Sequence, residues 1–436
     1  MIKTLDLRGL KPSRAELLAL VPRSLTDVSA ATEIAEDLIS DVRERGEAAL
    51  LEQAQRFDGV RPPRVRVDIA DVSSAVRALS VPVRDALEEA IVRVRAASEA
   101  QLPTSRITNF GPGADVIQRW SPVARVGLYV PGGKAVYPSS VVMNVVPAQV
   151  AGVSSVALAS PAQRQFDGGI HPSILGAAGL LGIDEIYAMG GAGAIGAFAW
   201  GVPGLSLDPV QVITGPGNVY VAAAKRIVRA QVGIDAEAGP TEVLVIADAT
   251  ADPFLVATDL ISQAEHDELA AAVLVTDSVD LADRVQAELA RLAVLTPHSA
   301  RVDISLRGIQ SAVVLVDDMA AAAAFSNVYG PEHLEIQTAD PGEVLVLIES
   351  AGAIFLGPHS PVSLGDYLAG SNHVLPTGGQ ARFTPGLGAY TFLRPQQVIR
   401  YDRDALEAVA DKVVALATAE DLPAHAAAIT ARFTTS

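Results

Sequence analysis

The sequence contains no cysteine among its 436 residues. This absence excludes disulfide bonds, thiolate nucleophiles, iron–sulfur clusters and every zinc site that depends on cysteine ligands. A medium-chain zinc alcohol dehydrogenase, whose metal ligands include cysteine, is excluded for the same reason. Any zinc ion bound by this chain must be held by histidine nitrogen or by carboxylate or amide oxygen.

Basic side chains are also scarce. The chain has 33 Lys and Arg against 50 Asp and Glu, which gives a formal net charge of -17. Nucleic acids and anionic membranes attract clustered positive charge, so this balance argues against both kinds of partner. Charged residues interrupt positions 1–20, so this segment has no signal-peptide pattern. We therefore expect a soluble, cytoplasmic protein.

The longest stretch without charged side chains runs from Ala135 to Gln163. It is long enough to cross a bilayer, but Pro138, Pro147 and Pro161 interrupt it. A buried core segment therefore fits this stretch better than a membrane helix.

The alternation of β-branched and alanine-rich segments indicates the fold class. From Val123 onward, predicted strands at 125–130, 153–159, 186–189, 210–213, 242–247, 271–276, 312–316 and 353–356 are separated by helical segments. This rhythm is typical of βαβ units around mostly parallel sheets. Further helices are predicted over 30–57, as one continuous amphipathic helix, and over 82–101, 253–266, 279–292, 318–327 and 404–417.

These patterns predict an α/β protein with two Rossmann-like α/β domains, mostly parallel sheets and small appendages at both termini. We expect an N-terminal arm over 1–25 and a discontinuous first domain formed by 26–128 and 239–378. Residues 129–238 would form the second domain and 379–436 a C-terminal tail. The Gly- and Pro-rich residues 103–122 would be an excursion between domains.

Two glycine-rich segments are candidate cofactor sites. Gly191-Ala-Gly-Ala-Ile-Gly196 matches the dinucleotide fingerprint, but a chain with 35 glycines produces such a pattern by chance. A tight strand-to-helix turn is the better interpretation there. Thr214-Gly-Pro-Gly-Asn218 is a stronger candidate, because Asn218 and free backbone N–H groups would face a cofactor phosphate or ribose. A simple helix cap explains this second segment equally well.

Four histidines have polar neighbours that could act with them. Gln263 and His266 share a face of a predicted helix and could chelate one ion, although His266 could simply favour the helix C-terminus. Glu332 and His333 are adjacent at a turn entering a strand, which suits either an acid–base pair or a surface ion pair. The other two of these histidines are His373, which shares a polar loop with Asp366, and His425 near the C-terminus.

Several long motifs resemble those of the histidinol dehydrogenase family, and they occur in order along nearly the whole chain. They are Val126-Gly-Leu-Tyr-Val-Pro-Gly-Gly133, Thr214-Gly-Pro-Gly-Asn-Val-Tyr220, Ala238-Gly-Pro-Thr-Glu-Val-Leu244, Asp259-Leu-Ile-Ser-Gln-Ala-Glu-His266, Gly330-Pro-Glu-His-Leu-Glu335, Ser363-Leu-Gly-Asp-Tyr367 and Gly370-Ser-Asn-His-Val-Leu-Pro376. The resemblance implies a zinc- and NAD-dependent oxidation of L-histidinol to L-histidine, the last step of histidine biosynthesis, through bound L-histidinaldehyde with reduction of two NAD+.

The resemblance also implies a role for particular residues. Glu332 and His333 would be the catalytic pair. One zinc ion per subunit would be bound by Gln263, His266, Asp366 and His425. These ligands would surround the substrate together with Thr241, His333, His373 and Glu420. Tyr129, Gly193 and Asn218 would contact NAD. Family members are homodimers, so Glu420 and His425 in the C-terminal tail would complete the site of the other subunit.

One position departs from the family pattern. Gly193 stands where the family commonly has Gln, so weaker NAD binding is expected, and a Gly193→Gln variant would test this expectation. Two alternatives to histidinol oxidation remain. A protein of the same fold could oxidise another primary alcohol, such as a sulfonated diol. A non-catalytic zinc-binding protein is the other alternative, although it would have no reason to retain Glu332 and His333.

Overall fold

The structure is a computed structural model that describes residues 2–23, 28–132, 136–237 and 239–434. The predicted boundary between residues 25 and 26 lies outside these ranges. Three terminal residues of the segments discussed above also lie outside them, namely Gly133 of 126–133, Ala135 of 135–163 and Ala238 of 238–244. No helix in the described part of the chain is long and apolar enough to cross a membrane.

The described residues form strands and helices in alternation. The strands are β1 Lys3–Asp6, β2 Arg106–Gly111, β3 Ala114–Pro122, β4 Arg125–Tyr129, β5 Ser155–Ser160, β6 Ile186–Ala188, β7 Val212–Thr214, β8 Gly233–Ile234, β9 Glu242–Ala247, β10 Ala271–Thr276, β11 Ala312–Leu315, β12 His333–Gln337, β13 Ala353–Leu356 and β14 Leu393–Tyr401.

The α-helices are α1 Arg14–Leu20, α2 Val28–Arg45, α3 Glu47–Gln53, α4 Ile69–Ala78, α5 Val81–Ala100, α6 Pro138–Ala151, α7 Pro172–Leu180, α8 Gly191–Trp200, α9 Val219–Val228, α10 Pro253–Ala264, α11 Val279–Leu292, α12 Ser299–Arg307, α13 Met319–Tyr329, α14 Pro341–Leu345, α15 Val362–Tyr367, α16 Arg403–Ala419 and α17 Pro423–Thr430.

The chain divides into two compact units. The first comprises Met1–Gln101 and Ala124–Phe392, and the second comprises Leu102–Val123 and Leu393–Ser436. The first unit contains two separate parallel sheets flanked by helices. The predicted α/β class with mostly parallel sheets is therefore confirmed, while the finer domain boundaries stay a prediction.

The six-stranded sheet of the first unit has the order β1-β11-β10-β9-β12-β13, and all its strands are parallel. Every residue of β9, β10, β11 and β12 is buried, as expected for strands covered by helices on both faces. Helices α10 and α11 supply one apolar layer and α13 supplies the other. From β9 the chain adds β10 and β11 on one side and then returns to add β12 and β13 on the other side, so the strand order reverses at β9.

The five-stranded sheet has the order β6-β5-β4-β7-β8 and is also parallel. Helices α2, α8 and α9 share one hydrophobic core with this sheet. Gly196 of α8 allows the close approach of α2, because a Cβ there would lie 3.2 Å from Ile39 Cγ1. Helix α6 comes from the proline-interrupted uncharged segment and is almost wholly buried, so the prediction of a core segment is confirmed.

The predicted continuous helix over 30–57 is wrong, because the chain breaks at Gly46. This glycine has φ 57°, a backbone conformation that side-chain-bearing residues rarely adopt. The break separates α2 from α3, which continues into a π-helical turn at Ala54–Asp58. The hydrophobic periodicity continues across the glycine, so the pattern alone did not reveal the break.

The second unit consists of the antiparallel sheet β14-β3-β2 and the helices α16 and α17. Residues 103–122, predicted as an irregular excursion, thus contain the β2–β3 hairpin. Few apolar side chains are buried among the described residues of this unit, namely Ala114, Val123, Ala405 and Ala417. Ile107, Phe110, Ile399 and Leu416 are each more than 60% exposed. This unit therefore has little hydrophobic core of its own.

Candidate active site

Two adjacent strands of the six-stranded sheet bring the predicted catalytic residues together at their amino ends. Glu242 begins β9 and His333 begins β12, and the parallel register pairs His333 with Val243. Thr241 and Glu332, which precede the two strands, therefore lie side by side. The predicted turn entering a strand at Glu332 and His333 is confirmed.

The Glu332 side chain is buried and accepts two hydrogen bonds. Its Oε2 atom accepts one from Thr241 Oγ1 at 2.6 Å and one from the Glu242 backbone N–H at 2.9 Å. Burial raises the pKa of Glu332 to about 8, even though these two hydrogen bonds favour the charged form. The carboxyl group is therefore mostly protonated at neutral pH and becomes a base in mildly alkaline solution.

The His333 ring is held in one tautomer. Its Nδ1 atom lies 3.1 Å from the Glu242 carbonyl oxygen, which can only accept, so Nδ1 carries the proton. Its Nε2 atom is buried, has no hydrogen-bond partner among the described residues and lies 3.9 Å from Asp366 Oδ1. Burial lowers the pKa of His333, so the ring is neutral and Nε2 is a proton acceptor.

Thr241 connects a predicted metal ligand to the catalytic pair. Gln263 Nε2 donates to Thr241 Oγ1 at 2.7 Å, and the same hydroxyl donates to Glu332. Since the amide nitrogen of Gln263 is used in this way, its oxygen is the atom available to a cation.

His266 and His373 are each oriented by backbone carbonyl groups. His266 Nδ1 lies 3.1 Å from the Ser262 carbonyl oxygen, which leaves Nε2 as the ring atom available to a metal ion. His373 Nδ1 donates to the Asp366 carbonyl at 2.9 Å, and its Nε2 contacts Ser140 Oγ at 2.9 Å. Burial lowers the pKa of His373, Asp366 opposes this effect, and the nearby His333 and His266 lower it further. The first unit thus gathers these side chains into one electrostatically connected site.

Three residues that the sequence analysis missed support the catalytic pair. Arg23 donates to both carboxylate oxygens of Glu242 at 3.1–3.2 Å and to the Tyr329 carbonyl, and its guanidinium lies 4.3 Å from the Tyr329 ring centroid. The Tyr329 hydroxyl donates to Glu242 at 3.2 Å. Glu242 bonds Glu332 and His333 through its backbone, so this buried cluster fixes the position of both. The only sequence clue was a carboxylate opening an otherwise apolar strand.

Two of the three predicted cofactor residues, Tyr129 and Asn218, lie at the carboxyl ends of β4 and β7 in the other parallel sheet. The chain continues from β4 to β5 on one side and later returns to β7 on the other, and ligands commonly bind at such a reversal. Tyr129 ends β4, and its hydroxyl accepts a hydrogen bond from the Gly191 N–H at 3.2 Å. Burial raises the pKa of Tyr129 to about 12, so the hydroxyl stays neutral.

Asn218 follows β7 and caps α9, because its Oδ1 accepts from the backbone N–H groups of Tyr220 and Val221. The helix-cap interpretation is thus confirmed, and the contact between Asn218 and NAD stays a prediction. Gly215 in the same segment has φ 123°, and a Cβ there would lie 1.9 Å from the Tyr129 carbonyl oxygen. Only glycine permits this close approach.

A buried ion pair fixes this turn. Lys225 Nζ donates to Asp235 Oδ1 at 2.5 Å and to the Gly215 carbonyl at 2.6 Å, and Asp235 Oδ2 accepts from the Gly215 N–H at 2.8 Å. Both side chains are at most 5% exposed. The two backbone polar groups of Gly215 are therefore held by one charged pair.

Comparison with known proteins identifies the family. The sequence profile of the family described as histidinol dehydrogenase matches residues 21–433. A histidinol dehydrogenase from Leifsonia xyli subsp. xyli (strain CTCB07) is 70% identical over 432 residues, with 99% of each chain covered. One from Mycobacterium tuberculosis (strain ATCC 25618 / H37Rv) is 56% identical and covers 99% of this chain and 98% of its own. The chain belongs to the histidinol dehydrogenase family.

A solved structure from this family has the same fold. The crystal structure of histidinol dehydrogenase from Elizabethkingia anophelis matches with a TM-score of 0.92 and 32% sequence identity, covering 99% of this chain and 98% of that one. The similarity to histidinol dehydrogenases predicted from the motifs is therefore confirmed, and the chain is a dehydrogenase.

The donor atoms of the first unit suit the zinc ion expected in a histidinol dehydrogenase. In the described ranges no three His, Asp or Glu side chains gather closely enough to hold a metal on their own. The predicted ligand set has only two such side chains in this unit, His266 and Asp366, and its third donor is the Gln263 amide. The oriented ring and amide supply the nitrogen and oxygen atoms that zinc accepts.

Three other predicted residues lie in different surroundings. Gly193 is buried in α8, and a Cβ there would lie 2.1 Å from Gln53 Oε1, so Gly193→Gln also requires Gln53 to move. The strand-to-helix turn expected at Gly191 is confirmed by β6 and α8. Glu420 is the C-cap of α16 and His425 lies on α17, and both are exposed in the second unit. Their roles, and that of Gly193, stay predictions.

Proposed function

We propose that this enzyme oxidises L-histidinol to L-histidine in two successive steps, the last of histidine biosynthesis, with L-histidinaldehyde as the bound intermediate. Each step transfers one hydride to NAD+, so two NADH form per histidinol, and the second step consumes one water molecule. The observation that carries this proposal is the unpartnered, proton-accepting Nε2 atom of His333, buried beside Glu332 and the predicted zinc ligands.

The predicted ligands would hold one zinc ion per subunit. Gln263, His266 and Asp366 would come from one subunit and His425 from its partner. When bound, zinc would supply a Lewis-acidic anchor for the imidazole nitrogen and the amine of histidinol, both of which are good ligands. Thr241, His373 and Glu420 would contact the same substrate and fix its orientation.

His333 acts in both oxidations as the proton acceptor. Its Nε2 takes the proton of the substrate hydroxyl as hydride leaves the carbon, and NAD+ held near Tyr129, Gly193 and Asn218 would supply the hydride acceptor. The Glu242 carbonyl accepts the Nδ1 proton, so it stabilises the imidazolium ion that forms.

Glu332 acts between the two oxidations. The aldehyde carbon keeps one hydrogen that can leave as hydride, but it carries no hydroxyl group until water adds to it, and Glu332 removes a proton from that water. The raised pKa places this base close to working pH, where it both accepts and returns a proton.

The second unit supports a homodimer. Its exposed apolar side chains and scarce core are typical of a segment that is stabilised by another chain. We therefore propose that Glu420 and His425 of the partner subunit complete each site, and that a monomeric variant is inactive. Full activity in an isolated monomer would refute this part of the proposal. The cytoplasmic location stays a prediction from the sequence.

The test follows NADH formation by the purified protein with L-histidinol, before and after removal of metal by a chelator and restoration with zinc. Two NADH per histidinol, lost on chelation and recovered with zinc, are expected. No turnover in the presence of zinc would refute histidinol as the substrate and favour another primary alcohol. The Glu332→Gln variant is the matched control, because it keeps the site's shape but should stop water addition after the first oxidation.

A further inference from the structure

A second group of polar side chains lies outside the site described above, with Glu335 and Gln337 buried on the strand that begins at His333 and Asp259 half-buried on α10. Gln337 Nε2 donates to Asp259 Oδ2 at 3.0 Å and to Glu335 Oε2 at 2.9 Å. The other oxygen of Glu335 accepts a hydrogen bond from the Val362 backbone N–H at 3.0 Å. We name Asp259, Glu335 and Gln337 the carboxyl cluster.

Both carboxyl groups of the cluster accept a hydrogen bond from the Gln337 amide, which holds them close together. Burial raises the pKa of both groups, and the neighbouring Asp259 raises that of Glu335 further. The Gln337 amide and the Val362 N–H at the start of α15 donate hydrogen bonds to the two carboxyl groups, which reduces the cost of burying them.

Each contact of the cluster belongs to an element that presents a site residue. Asp259 lies one helical turn before Gln263 on α10. Glu335 lies two residues after His333 in β12, so their side chains share one face of the sheet. Val362 begins α15, one turn before Asp366. Three elements that are distant in sequence thus meet at a single hydrogen-bonded group.

We propose that Asp259 and Glu335 are positioning residues that hold α10, β12 and α15 in the arrangement required by the zinc site. Helix α15 depends most on this contact, because it has only six residues and no side-chain cap within its own segment. A shift of α15 moves Asp366, and a shift of α10 moves Gln263. The inference rests on the proposed zinc-dependent function.

Folding stability alone does not distinguish a structural role from a positioning role for this cluster. Replacing a whole buried charged group by apolar side chains is often neutral or stabilising, whereas removing one partner alone is destabilising. A purely structural role therefore predicts that the single leucine variants lose folding stability, but that the folded protein binds zinc with unchanged affinity. A positioning role predicts weaker zinc binding by the folded protein as well, because groups behind metal ligands commonly change metal affinity about 10- to 100-fold.

The test measures zinc affinity of the full-length, metal-depleted protein by competition with a chromophoric chelator. Glu335→Leu and Asp259→Leu should weaken zinc binding about tenfold or more. The matched controls Glu335→Gln and Asp259→Asn retain hydrogen-bonding atoms at the same places and should stay within about twofold of the wild type. Hydrogen exchange at the Val362 amide should quicken in Glu335→Leu and not in Glu335→Gln.

Three results would overturn the inference. Folded leucine variants that bind zinc as tightly as the wild type would refute it, and so would amide variants as weak as the leucine variants. If the leucine variants do not fold, Gln337→Met replaces them in the test, because it removes the shared amide donor. Weaker zinc binding by this variant would support the inference, and wild-type zinc affinity would refute it. A wild-type protein that binds no zinc would refute the proposed metal site itself and this inference with it.

Discussion

Replacing Glu332 by glutamine should remove one buried titration from the zinc-free protein. Burial raises the pKa of this carboxyl group to about 8, against an ordinary value of 4.5. The gap corresponds to about 5 kcal/mol in favour of the protonated form of the folded chain. Glutamine has nearly the same shape, and its Oε1 atom can accept the hydrogen bonds from Thr241 and from the Glu242 N–H. The variant should therefore fold normally and lack only the titration.

The sign of the effect follows from proton binding. Between about pH 4.5 and pH 8 the folded chain keeps a proton on Glu332 that the unfolded chain releases. The stabilisation is complete below pH 4.5 and is lost as the pH rises through the folded-state pKa, by about 1.4 kcal/mol per pH unit. Between pH 5.5 and pH 7.5 the free energy of unfolding of the wild type should fall by about 2–3 kcal/mol relative to Glu332→Gln.

Urea unfolding of both zinc-free proteins, at one fixed protein concentration and at several pH values, measures this difference. Infrared spectroscopy provides a direct second measurement, because a protonated carboxyl group has its own C=O band. The loss of that band near pH 8 should be larger in the wild type than in Glu332→Gln, because Glu335, whose pKa is also raised to about 8, contributes the same signal in both proteins. Unfolding curves that depend on pH in the same way for both proteins, with no difference in the infrared band, would refute the reasoning.

Three further substitutions test the surroundings of the site by chemical denaturation. Thr241→Val should lower the free energy of unfolding by about 1–3 kcal/mol, because two buried partners lose a hydrogen bond. Thr241→Ser should keep most of this stability, and equal losses in the two variants would contradict the role of the hydroxyl. Lys225→Met should lower the free energy of unfolding by about 3–5 kcal/mol, because it leaves Asp235 buried without its cation, and adding Asp235→Leu should restore stability. A Lys225→Met variant as stable as the wild type would argue against the ion pair. Arg23→Met should destabilise the chain by about 1–3 kcal/mol and reduce kcat, since Glu242 loses its cation; unchanged kcat would exclude a positioning role for Arg23.

The sheets were predictable from the sequence because buried parallel strands have a strong local pattern. The β-branched runs at 242–247 and 271–276 became β9 and β10 with the same bounds, and 279–292 became α11. In each case the segment's own periodicity agrees with its tertiary surroundings. The β2–β3 hairpin was missed because its residues are largely exposed and lie beside glycine and proline.

The candidate site was predictable only where its residues carry reactive groups in motifs. Glu332 and His333 were found in this way, whereas Arg23 and Glu335 were not, because their roles depend on partners that only the fold brings near. Arg23 meets Glu242 across 219 positions, and no local pattern indicates such a pairing. The site also lies at the amino ends of β9 and β12, whereas ligands of open parallel sheets usually bind at the carboxyl ends.

The order of strands in the antiparallel sheet has a consequence for synthesis of the chain on the ribosome. Strand β3 ends at Pro122, but its neighbour β14 begins only at Leu393, about 270 residues later. At about 5–20 residues per second, one edge of β3 has no partner from its own chain for roughly 15–55 s. During that interval the edge of β3 that later pairs with β14 is available to other nascent chains. Slow translation between these strands should therefore increase aggregation, and chaperones that cover strand edges should suppress it.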